Sequence, residues 1–137
     1  FKQGEIEITA GPRDWLTEDA KKLIFAKSMA IDGSVWVLNK EGQIDRYYKG
    51  MAAESFSLNI FPLLENPTKI ITNESLPYIY ILEPKQKRII IITKQGQLAR
   101  QYQSEKFDSL LDFTVSADGK IIYVLNGLEL FKLSVNI

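Results

Sequence analysis

A chain of 137 residues with 17 Lys plus Arg against 17 Asp plus Glu has no formal net charge. It is long enough to bury one core, and nothing overall pulls it toward nucleic acid or an anionic membrane surface. It contains no cysteine and no histidine, which removes disulfides, thiolate nucleophiles, the commonest general base and the usual transition-metal ligands, so any chemistry here works through carboxylates, Lys, Arg and Tyr.

Residues 4–9, GEIEIT, alternate with period two and predict one isolated strand. Residues 17–24, TEDAKKLI, open on an N-cap candidate, carry acids first and lysines later, and predict a short helix leading into the first blade. From there the chain repeats. Residues 28–39 (SMAIDGSVWVLN), 69–83 (KIITNESLPYIYILE) and 112–126 (DFTVSADGKIIYVLN) each read as a strand, a polar turn, and a second strand that carries an aromatic and ends on a polar residue. The marker aromatics Trp36, Tyr80 and Tyr123 are 44 and 43 residues apart, the period of a four-stranded propeller blade.

Each copy continues past its aromatic strand. In the first, Lys40-Glu41-Gly42 predicts a turn, 43–49 a third strand and 55–61 a fourth. In the second, 88–93 is the third strand, Lys94-Gln95-Gly96 the turn and 97–103 a mixed-polarity outer strand. In the last, 128–135 is the third strand and no fourth comes after it. The runs at 79–82 (IYIL) and 89–92 (IIII) are continuously apolar, as strands covered on both faces are. They are far shorter than the roughly 20 residues of a membrane-spanning helix. The expected architecture is all-β: a lead-in over 1–27, then blades over about 28–66, 67–109 and 110–137. Residues 4–9 are expected to supply the outer strand that the last blade lacks.

The Asp32-Gly33 and Asp118-Gly119 turns, followed by VWVLN and IIYVLN, a glycine turn and another strand, resemble six-bladed bacterial β-propellers of the NHL and YncE-like kind over nearly all of residues 28–137. Asn73-Glu74-Ser75 departs from the pattern and predicts a wider turn in the middle copy. A second resemblance, carried by Trp15-Leu16 and residues 26–38, is to the C-terminal half of extracytoplasmic propellers behind bacterial transmembrane segments. It implies a location outside the cytoplasmic membrane. With Phe1 as the first residue and no leader-like pattern after it, the chain reads as a portion of something longer. Propellers close with roughly four to eight blades. The resemblance therefore implies either a homodimer completing a six-bladed ring or further blades of a longer parent protein.

Asp-Gly is a strong hairpin signal, which is the simpler account of the two Asp-Gly pairs than a calcium loop. The three repeated aromatics are expected in the core between blades. The candidate binding residues are Asp45, Arg46, Tyr47 and Tyr48, a Tyr/Arg group of interface type in which one tyrosine must face inward. A second candidate is the basic loop residues Lys85, Lys87 and Arg88. No catalytic residue, metal or cofactor is expected, and neither nucleic acid nor direct membrane contact. The function expected is a non-enzymatic binding or scaffolding module contacting a protein, glycan or small ligand through propeller loops. The rival is a propeller lyase or hydrolase using Arg, Tyr and carboxylates at a central channel.

Overall fold

The structure, a computed structural model, describes residues 12–17 and 21–137. Two four-stranded sheets and one three-stranded sheet succeed one another along the chain, each an antiparallel meander in sequence order. The first holds β1 (Ala26–Ile31), β2 (Val35–Asn39), β3 (Gln43–Tyr48) and β4 (Met51–Ser57). The second holds β5 (Lys69–Ile71), β6 (Tyr78–Glu83), β7 (Arg88–Thr93) and β8 (Leu98–Gln103). The third holds β9 (Leu110–Val115), β10 (Ile121–Asn126) and β11 (Glu129–Ser134). Strand β1 lies beside β5 and β5 beside β9, so the sheets radiate as blades from a common inner side.

Three local expectations change. The strand expected at 4–9 lies outside the described residues, as do residues 18–20 of the expected helix. The described remainder of that helix, Lys21–Phe25, is a 3₁₀ helix running directly into β1, the form a single short turn adopts. The fourth strand of blade one is Met51–Ser57, not 55–61. Lys49 (φ 51°) and Gly50 (φ 78°) both take left-handed conformations, closing a two-residue hairpin that pairs Tyr48 directly with Met51. In the middle copy, residues 72–77 form the wide connection foreseen at Asn73-Glu74-Ser75.

Packing is explained by two-sided burial. Trp36, Leu38 and Ile44 of blade one meet Ile70, Ile79, Ile81, Ile90 and Ile92 of blade two. On the other side of blade two, Tyr80, Leu82, Ile89 and Ile91 meet Phe113, Ile122 and Val124 of blade three. Alternate residues of β6 and β7 thus enter different cores, which is why both runs are continuously apolar. The repeated aromatics are not equivalent in burial, however. Trp36 (3% exposed) and Tyr80 (1%) are core residues, while Tyr123 is 38% exposed because blade three has no described blade beyond it.

The polar residue closing the second strand has the same use in two of the three blades. In blades two and three it holds the chain arriving from the preceding blade. Glu83 accepts hydrogen bonds from the N–H groups of Glu65 (2.6 Å) and Asn66 (3.1 Å). Asn126 accepts from the Ser109 N–H at 2.9 Å and donates to the Lys106 carbonyl at 3.1 Å. Asn39 caps its own turn instead, accepting from the N–H groups of Glu41 and Gln43.

Candidate functional site

A concavity of about 840 Å³ opens between blades one and two at the end carrying the β1–β2, β5–β6 and β7–β8 connections. The Asp32-Gly33 turn forms one lip, Glu74 and the Lys94-Gln95 turn the other, and Arg46, Tyr48, Glu54 and Phe56 rise from β3 and β4. Trp36 forms the floor, its ring 6.4 Å from that of Phe56 at 52°. Gly96 is required here. Its φ is +91°, and a Cβ would stand 2.8 Å from the Phe56 ring.

Asp32 organises the inner half. Its Oδ1 accepts from the Ser34 N–H (2.7 Å) and the Trp36 indole N–H (3.0 Å), and its Oδ2 accepts from Lys94 Nζ at 2.7 Å. The Asp32–Lys94 pair therefore fastens a turn of blade one to a turn of blade two. Both Asp-Gly pairs are turns, since Asp118 likewise accepts from Ser116 Oγ and the Lys120 N–H. Among the described residues, no cluster of three or more carboxylates is placed to hold a metal. In the outer half, Arg46 donates to Ser34 Oγ (2.8 Å) and Glu54 Oε2 (2.7 Å), with its guanidinium 5.6 Å from the Trp36 ring and 5.9 Å from that of Tyr48.

Burial pushes the Asp32 carboxyl up, but the hydrogen bonds from Lys94, Ser34 and Trp36 and the Lys94 charge outweigh it, holding it below the ordinary 3.8. A value lowered by folding stabilises the protein fully above about pH 4, and that contribution is lost as pH falls through the folded value. Asp32→Asn is expected to destabilise the protein at neutral pH and to flatten the loss of stability between about pH 5 and 2. Some acid dependence remains, because Lys69 on β5 lowers Asp112 of blade three in the same way. Urea midpoints measured across that range check this. Parallel curves for the two proteins would show that Asp32 carries none of the acid dependence.

The sequence candidates do not form one site. Arg46 and Tyr48 share the cleft, with Tyr48 exposed. Asp45 and Tyr47 alternate to the opposite face of blade one and are buried, Asp45 accepting from Gln43 Nε2 at 3.1 Å. The inward-facing tyrosine is thus Tyr47. Lys85 and Lys87 lie at the opposite end of blade two, in and just after the 3₁₀ helix Pro84–Gln86, paired with Glu65 (3.1 Å) and Glu105 (2.8 Å).

Arg88 is not part of a solvent-facing loop. It is 0% exposed and bound to the equally buried Glu83, its Nη2 2.7 Å and its Nε 2.8 Å from Glu83 Oε1. Its remaining donors reach Gln101 Oε1 and the Pro62 carbonyl. A buried guanidinium persists only with such a complete set of acceptors. The cleft residues that the sequence did not single out are Glu54, Phe56, Glu74 and Lys94. For Lys94 the signal was the turn register, since it comes after β7 as the Asp32 turn comes after β1, whereas Glu54 and Phe56 lie on β4, whose bounds the sequence pattern misplaces.

No known family profile matches the chain, and no curated protein does. Among solved structures the chain superposes on Hsv2 of Kluyveromyces lactis with a TM-score of 0.58 and 13% identity, covering 81% of this chain and 33% of that one. It also superposes on a 6-phosphogluconolactonase-like protein of Bacteroides uniformis with a TM-score of 0.63 and 14% identity, covering 81% and 37%. Both have propeller-type folds. The chain spans about a third of the length of each, and at this identity the likeness is one of fold. The class is thereby defined: an all-β segment of a β-propeller, with three successive blades among the described residues.

Proposed function

We propose that this chain is a non-enzymatic binding module and that the cleft between blades one and two is its ligand site. The observation carrying this reading is the way the cleft's charges are spent. Asp32 is matched to Lys94 and Arg46 to Glu54 around the exposed Tyr48 and the half-buried Phe56, and Glu74 on the far lip is the cleft carboxylate with no cation paired to it among the described residues. A general acid or base must exchange a proton near the working pH. Asp32 is instead held as a carboxylate by three donors, a setting suited to orienting a ligand. Neutralised polar groups beside an aromatic wall fit an uncharged ligand with both hydrogen-bonding groups and an apolar face, of which a glycan unit is the model.

Trp36 makes the site testable, because only one other tryptophan, Trp15, is present. In a Trp15→Phe background, titration with neutral oligosaccharides is expected to change Trp36 emission saturably. Tyr48→Ala and Arg46→Ala should each weaken the effect by at least about tenfold. A response that survives both substitutions places the ligand elsewhere.

The rival reading, a propeller enzyme, is favoured by the likeness to the lactonase-like protein. It predicts acid release from a sugar δ-lactone above the spontaneous rate, abolished by Asp32→Asn. Turnover of that kind would replace the binding reading.

A further inference from the structure

Of the charged side chains lining the cleft, Asp32, Glu54 and Glu74 are carboxylates, and both cations, Arg46 and Lys94, are already committed within it. Lys94 Nζ lies 2.7 Å from Asp32 Oδ2 and 3.3 Å from the Asn73 carbonyl, and Arg46 divides its donors between Glu54 and Ser34. Glu74 is left without a protein cation among the described residues. The aromatic wall repeats the imbalance. Arg46 stands over the Trp36 and Tyr48 rings, and Lys49 is 5.3 Å from the Tyr48 ring, whereas no cation lies over Phe56 among the described residues. The face of an aromatic ring attracts a cation, as a carboxylate does. Two separate features of the cleft therefore remain open to positive charge.

Glu74 stands on a lip whose main chain is held in place. Asn73 Oδ1 accepts from the Ser75 N–H (2.9 Å) and hydroxyl (2.7 Å), and the Asn73 carbonyl accepts from the Leu76 N–H at 3.2 Å. Leu76, 1% exposed, anchors the same turn in the core between blades two and three. A carboxylate on so fixed a backbone meets a ligand with little ordering cost beyond its own side chain. This is the place where Asn73-Glu74-Ser75 interrupts the Asp-Gly pattern of the other two copies, so the departure sets a carboxylate on the lip facing the Asp32 turn.

Resting on the reading of this cleft as a glycan site, we infer that Glu74 selects a sugar carrying one cationic group, a glycan with a free amine. The paired charges and the aromatic wall meet the uncharged part of the sugar. Lys94, neutralised by Asp32, does not oppose the ammonium, and Glu74 accepts from it in a charge-assisted hydrogen bond. Because Glu74 is exposed, the preference is modest, about two- to fivefold in affinity.

The test titrates Trp36 emission in the Trp15→Phe background at about pH 6, where such an amine is largely protonated. The probes are a β-1,4-linked N-acetylglucosamine tetramer and the same tetramer with one acetyl group removed. The deacetylated tetramer is expected to bind about two- to fivefold more tightly, by a margin that shrinks as salt is raised. Glu74→Gln should bring the ratio of the two dissociation constants to about one. Glu41→Gln, in the β2–β3 turn at the opposite end of blade one, should leave that ratio as in the parent. Equal affinities in the parent, or a preference that survives Glu74→Gln, overturn the inference while leaving the cleft a binding site, since Trp36 still responds. Tighter binding of an oligo-uronate, or of a peptide with a single lysine, also overturns it. No Trp36 response to any of these probes overturns the inference and the glycan reading together.

Discussion

Arg88→Ala is expected to lower the unfolding free energy by about 3–5 kcal/mol, an effect seldom produced by removing one arginine. The substitution leaves the fully buried Glu83 carboxylate without its cation and removes the donor to the Pro62 carbonyl. It thereby loosens residues 62–66, which Glu83 and Arg88 jointly hold from blade two. Removing both charges together, as Glu83→Gln with Arg88→Met, should cost less than the sum of the single changes, since no unpaired charge remains. Lys85→Ala and Lys87→Ala, whose ion pairs are exposed, should each leave the urea midpoint close to that of the parent. Urea unfolding of these variants decides the matter. An Arg88→Ala protein as stable as Lys85→Ala would mean that the buried pair contributes nothing.

The second large effect separates residues that sequence alone makes equivalent. Trp36→Ala and Tyr80→Ala should each cost about 3–5 kcal/mol, the range for aromatic deletions in a closed core. Tyr123→Ala should cost about 1 kcal/mol or less, because its ring is already partly in water. The Tyr80 hydroxyl supports the distinction, since burial first, and then Tyr78 and Asp118, push its pKa above the ordinary 10.0. Equal losses at all three positions would show that Tyr123 is covered in solution.

Much of the blade pattern was legible because it is local. The aromatic strands and the continuous isoleucine run are set by alternation and period, and the structure keeps both; among the described residues the third sheet has three strands. The position of β4 was misjudged because Lys49-Gly50 was not recognised as a hairpin. MAAESFS offered too little apolar contrast to correct the error.

Arg88 was misjudged for a different reason. In the run Lys85-Gln86-Lys87-Arg88 it looks like its neighbours, and only the cross-strand pairing of Glu83 with Arg88 sets it apart. The acid at the place held by Asn39 and Asn126 in the other copies was the available sign. Of the residues lining the cleft, Arg46 and Tyr48 stand out in the sequence. The opposing lip was not, because what brings Lys94 to Asp32 is contact between blades 62 residues apart in sequence.

The latching of each arriving linker by Glu83 and Asn126 bears on where this chain can change. A residue inserted between 62 and 66, or between 106 and 109, displaces a main-chain group from a buried acceptor, so the length of those linkers is constrained. The hairpins at the cleft end are joined instead by side chains, as in the Asp32–Lys94 pair, while their main chains close on themselves. Away from the pinned positions Asp32, Lys94 and Gly96, lengthening and sequence drift are tolerated best at such turns. The scaffold therefore confines variability to the rim of the cleft, while the inter-blade packing stays as it is.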